Sequence, residues 1–121
     1  MKSYTDLEQS EKLTGILPLE SADMQWIIDG LGKPFPFPVE RVNENEKPCW
    51  SLTGLFGVLP DELTDSDGCV YRNEFFHLKG KYTIQYPRLT TLWPSLLSVE
   101  ADNPVDACYE MILKLHEQKL I

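Results

Sequence analysis

The chain has 121 residues, 19 of them acidic and 11 basic, for a net charge of −8. That length suits one domain with one core, and 42% hydrophobic with 25% charged residues excludes wholesale disorder. Basic residues are scattered and never run to three, which excludes the concentrated cationic surface that nucleic acid demands.

The opening residues 1 to about 12 are polar and charged without a sustained period, so they read as a loose end with no secretory apolar segment. No apolar run approaches the ~18 residues that span a bilayer, so no membrane partner is expected. Three cysteines, Cys49, Cys69 and Cys108, cannot all pair within one chain and form no C-x-x-C. A reducing, cytoplasmic setting is the default expectation, with a processed, exported form as the alternative.

Ile16-Leu17-Pro18-Leu19 is a short apolar patch suited to docking on a core. Met24 to Ile28 reads as a strand closed by Asp29-Gly30. In Gly32 to Val39 the alternate prolines forbid a helix or a central strand and leave an extended path. Residues 40–48 read as a solvated loop. Ser51 can cap a helix running to about Leu59, with Leu52, Leu55, Phe56 and Leu59 on one face and Pro60 as its stop. Gly54 and Gly57 each weaken that helix by about 1 kcal/mol relative to Ala, so packing must hold it.

Asp61 to Gly68 is an acidic turn region. Val70 to Leu78 and Lys81 to Tyr86 form a hairpin across Lys79-Gly80, with Tyr82, Ile84 and Tyr86 alternating against Lys81, Thr83 and Gln85. Arg88 to Val99 reads as a loop, interrupted at Pro94, leading into a short strand. From Asn103 to Ile121 the chain predicts an amphipathic helix. Asn103 is the N-cap, Pro104 fits the first turn, and Val105, Cys108, Met111, Ile112 and Leu115 form one apolar stripe. The fold class is α+β, a single domain with a small, mostly antiparallel sheet packed by the long C-terminal helix and the short central one. Trp26, Phe75 and Trp93 are the expected core anchors.

Several arrangements invite chemistry and fall short of it. With Gly68 as the sixth position of a calcium loop, Asp65, Asp67 and Glu74 fall at three, five and twelve. Leu63 at position one carries no side-chain oxygen, and the exit reads as a strand, so an acidic turn explains the same residues. His77 and His116 lie far from any cysteine at zinc spacing; His116 suits a helix C-terminus, and His77 belongs to a strand. No catalytic residue, cofactor or metal is implied. Cys49, beside the start of the central helix, and His77 supply the rival reading, a small hydrolase or transferase. Phe35 and Phe37, set between prolines, either cover this domain's own sheet or offer a contact to an unidentified protein partner.

The block Lys47-Pro48-Cys49-Trp50-Ser51-Leu52, continuing through Leu55 and Leu59 to Pro60, resembles the opening of small phage and prophage proteins of Bacteroides-type gut bacteria. The Phe75 to Tyr86 hairpin and the closing Asn103 to Ile112 block extend the likeness over residues 47–121. The resemblance implies a compact α+β domain of mobile-element origin and attaches no activity to it. The leading expectation is a non-enzymatic protein-binding domain. Its alternative is an acidic antagonist, immunity-like or mimicking nucleic acid, that works by charge complementarity.

Overall fold

The computed structural model describes residues 1–88 and 96–121. It has an α+β architecture with all strand pairing antiparallel, divided among three small sheets in place of the one expected. Two compact units make up the chain: Lys2–Val58, and Leu59–Ile121 together with Met1.

The first unit begins with a helix, α1 (Leu7–Thr14), where a loose end is expected. Asp6 caps it by accepting from the backbone N–H of Gln9, and the Gln9 side chain returns a bond to the Asp6 N–H. This reciprocal pair satisfies two otherwise orphaned donors. The buried positions of α1 are Ser10 and Leu13 and not a continuous apolar stripe, which is why hydrophobic period does not announce it. Thr5 and Ser10 are buried and bonded to each other at 2.8 Å. Thr5 also accepts from the Trp50 N–H at 3.2 Å and donates its own N–H to the Trp50 carbonyl at 2.9 Å. Leu13 and Leu17 supply the apolar anchorage.

Three strands follow, β1 (Met24–Ile28), β2 (Pro34–Pro38) and β3 (Lys47–Cys49), in the order β2-β1-β3. The proline-rich segment is thus a true strand, but an edge one, and the end of the expected 40–48 loop is strand as well. Trp26 pairs with Pro36 on one side and Lys47 on the other. Its indole N–H donates to Ser10 Oγ at 3.1 Å, so the Met24/Trp26/Cys49 face lies toward α1. Alternation along the strands turns Gln25, Ile27, Phe35 and Phe37 the other way. The central helix α2 (Leu52–Val58) buries Leu55 completely, while Phe56, expected on the same apolar face, stays 37% exposed. Of the two described tryptophans, Trp50 is fully buried and Trp26, the expected anchor, is half-buried.

The second unit opens with a short hairpin, β4 (Glu62–Thr64) and β5 (Val70–Arg72), so part of the expected acidic turn is strand. A break at Asn73 separates β5 from β6 (Glu74–Leu78), which pairs with β7 (Lys81–Gln85). Lys79 and Gly80 both have positive φ, 53° and 77°, the two-residue turn whose twist matches a tight hairpin. β8 (Ser98–Ala101) completes the order β6-β7-β8.

α3 (Pro104–Glu117) lies across β7 and β8, and Val105, Cys108, Met111, Ile112 and Leu115 are all buried against that layer. Each such side chain contributes about 1.5–3 kcal/mol relative to an exposed one. The helix stops short of Ile121 because Lys119 turns left-handed, φ 59°. Leu120 N–H then reaches back to the Leu115 carbonyl and Lys119 N–H to that of His116. Phe75, an expected anchor, is 38% exposed because α3 covers β7 and β8 while β6 is the sheet edge. Trp93, with Leu92 and Pro94, lies outside the described residues.

Candidate functional site

The sequence points to Phe35 and Phe37, and the structure puts both on one face of β2, turned away from α1. They are 38% and 52% exposed. Ile27 stands opposite Phe35 and Gln25 opposite Phe37. Self-packing, one of the two expected fates, therefore covers each ring only in part. At the end of the same hairpin, Ile28 and Leu31 are 73% and 86% exposed, and pattern reading missed both. Ile28 looks like an ordinary strand residue. What exposes it is the shortness of β3, which pairs with β1 only as far as Trp26. The hairpin turn itself is built by Asp29, whose Oδ1 accepts from the N–H of Leu31 at 2.7 Å and of Lys33 at 2.9 Å.

Below α1 a groove of about 370 Å³ is lined by Leu7, Ser10, Glu11, Trp26, Lys47 and Pro48. Trp26 forms its indole wall and meets Tyr4 edge-on, ring centroids 6.2 Å apart. Neither Cys49 nor His77 belongs to its lining.

Cys49 is fully buried, its Sγ donating to the Thr5 carbonyl at 3.4 Å. Burial pushes its thiol above the ordinary value, the opposite of what a nucleophile requires. The carboxylate of Asp23, accepting from the Ser51 N–H and hydroxyl, occupies the start of α2 near which Cys49 lies. His77 stacks flat on Tyr82, centroids 4.1 Å apart and planes 3° from parallel, as a cross-strand pair of the β6–β7 hairpin. Cys108 is buried in the α3 stripe and its thiol is pushed up to about 12 by burial alone. Cys69 is half-buried, and Arg88 Nη2 donates to its sulfur at 2.7 Å.

Asp65 spends its oxygens on its own loop. Oδ1 accepts from the N–H groups of Asp67 and Cys69, and Oδ2 from the Tyr71 hydroxyl, all at 2.9 Å. The Cys69 N–H, with Tyr71 and Asp67 behind it, holds the Asp65 carboxyl below the usual carboxylate value. Asp65 is therefore a turn-forming carboxylate, its oxygens taken by its own loop. Among the described residues no group of three His, Cys, Asp or Glu is placed to hold a metal ion, and no helix is long and apolar enough to cross a membrane.

Comparison with protein-family models, curated proteins and solved structures finds no match to this chain.

Proposed function

We propose that this chain is a small, cytoplasmic, non-enzymatic domain of phage or prophage type that binds another protein through the face carrying Phe35 and Phe37. The observation that supports this reading is the exposure of the two rings on one strand face, 38% and 52%, with Ile27 beside them. Apolar area left in water forgoes about 25 cal/mol per Å², which a partner's apolar surface recovers on contact. The buried, proton-holding thiols of Cys49 and Cys108 speak against the thiol-enzyme rival. The acidic-antagonist alternative gains no support. Asp6, Asp29, Asp65 and Asp106 are each engaged by a cap or turn of their own segment, and Asp23 by Ser51 at the start of α2.

The test is capture from the source cell with the immobilised protein and with its Phe35→Ala/Phe37→Ala variant, both first shown to unfold at similar temperatures. A partner retained by the parent and reduced at least roughly tenfold by the variant is expected, the scale of losing a buried aromatic pair. Equal recovery by both proteins would discard this face as the contact.

A further inference from the structure

The geometry points to a division of labour within β2. Its side-chain face is open to contact, while Pro34, Pro36 and Pro38 close its backbone edge against strand addition by any other chain, a second copy of this one included. The inference does not rest on Phe35 and Phe37 having a partner.

Register shows how the closure works. In an antiparallel pair the residues of a strand alternate, one pointing both its N–H and C=O at the neighbour and the next pointing both away. Two bonds fix the parity here. Asp29 N–H donates to the Lys33 carbonyl at 2.9 Å, and Val39 N–H to the Asp23 carbonyl at 3.1 Å. Odd-numbered residues of the segment therefore aim their backbone at β1, so Phe35 pairs with Ile27, and Phe37 with Gln25, through hydrogen bonds. Pro34, Pro36 and Pro38 fall on the alternate positions, opposite Ile28, Trp26 and Met24, and aim outward. Proline has no N–H. Over five residues the outer edge of β2 thus offers carbonyl oxygens and not one donor.

An incoming strand needs both donors and acceptors along its length, so it would bury its own carbonyls unpaired, each at a desolvation penalty. The same parity governs the other side of the sheet. Pro48 stands opposite Gln25 and its ring nitrogen points away from β1, so all four strand prolines sit where no ladder bond is lost. An edge flanked by two exposed phenylalanines is otherwise the surface most prone to edge-to-edge association. The prolines remove that hazard without burying the rings.

The test restores the donors. Pro34→Thr/Pro36→Thr/Pro38→Thr gives the outer edge three N–H groups on good strand formers, and Pro36→Thr alone restores the central one should the triple variant fail to fold. The parent is expected to keep one sedimentation coefficient over a roughly hundredfold range of concentration. Folded variants should grow in size over that range, and amide exchange at position 36 should slow at least about tenfold as they do. Variants that stay at the parent's size, or that associate while the amide at position 36 remains unprotected, would overturn the proposal. So would a parent that self-associates through this edge, shown by cross-links between the β2 strands of two copies. Placing Phe35→Ser/Phe37→Ser in the Pro36→Thr background separates the two surfaces, because strand addition persists without the rings and face-to-face contact does not.

Discussion

The carboxylate of Asp23 grips Ser51 twice: Oδ1 accepts its backbone N–H at 2.9 Å and Oδ2 accepts its hydroxyl. Ser51 in turn caps α2, its Oγ accepting from the Gly54 N–H at 3.1 Å. One acid at the mouth of β1 thus organises the start of a helix 28 residues further along the chain. Charge at a helix N-terminus is favourable in itself; here it also fixes where the helix begins.

That contact explains a glycine. A Cβ at Gly54 would lie 2.6 Å from Asp23 Oδ1, whereas Gly57 faces open space. Helix propensity favours alanine over glycine by about 1 kcal/mol at either position. We expect Gly57→Ala to raise stability by about 0.5–1 kcal/mol. Gly54→Ala should lower it by about 1–2 kcal/mol, because displacing Asp23 breaks charge-assisted bonds to Ser51. Urea unfolding of the two variants decides the matter, and equal shifts of one sign would contradict it.

Folding of the N-terminal segment is tested by two leucines on one helix. Leu13 is fully buried and Leu7 is 42% exposed. Leu13→Ala should cost about 2–5 kcal/mol through lost contacts and a residual cavity, while Leu7→Ala should stay within about 1 kcal/mol. Thermal unfolding monitored by circular dichroism would distinguish this from a loose end, for which both substitutions would be neutral.

Acid should weaken the β4–β5 loop. Asp65 is held below its ordinary value by the N–H of Cys69 and its companions, so the folded chain takes up that proton less readily than the unfolded one. The resulting stabilisation is present above the ordinary carboxylate range, and it disappears as pH falls through the lowered folded value. The stability difference between the parent and Asp65→Asn should accordingly be full at neutral pH and shrink below about pH 4. A difference that is constant from neutral to acid pH would refute this assignment.

Thiol reactivity should follow burial. Cys49 and Cys108 are enclosed and their thiols are raised by burial, while Cys69 is half-buried beside Arg88. Brief iodoacetamide treatment of the native protein, read by peptide mass spectrometry, should label Cys69 first and the other two only after denaturation. Cys108→Ser should cost about 1–3 kcal/mol, since a hydroxyl is costlier than a thiol to bring out of water into this apolar stripe.

Local chemistry made several elements legible in advance. Asn103 and Pro104 announce the start of α3, and the stripe from Val105 to Leu115 announces which side it buries. Lys79-Gly80 and the alternation through Ile84 announce the β6–β7 hairpin. These are short-range signals, carried within a few residues. α1 escaped because its buried positions mix hydroxyls with leucine: Thr5 and Ser10 look like surface residues until Trp50 and Trp26 arrive to bond them. Trp50 escaped as a core residue because only its bonds to Thr5 and Ser21 explain the position it takes. For the candidate surface, residue type named Phe35 and Phe37, but their exposure and the outward aim of the neighbouring prolines required the pairing register.

Periodicity, caps and turn residues dictate what the α3, β1 and β6–β7 stretches become, because those preferences act between near neighbours and need no fold to express them. Which stretch lies at an edge, which hydroxyl is buried and which carboxylate reaches a distant helix depend on residues far apart in the chain. Asp23 and Ser51 meet, and Pro36 points outward, only once β1 has taken partners on both sides. At these positions burial and hydrogen-bond satisfaction are properties of that assembly, which no local pattern encodes.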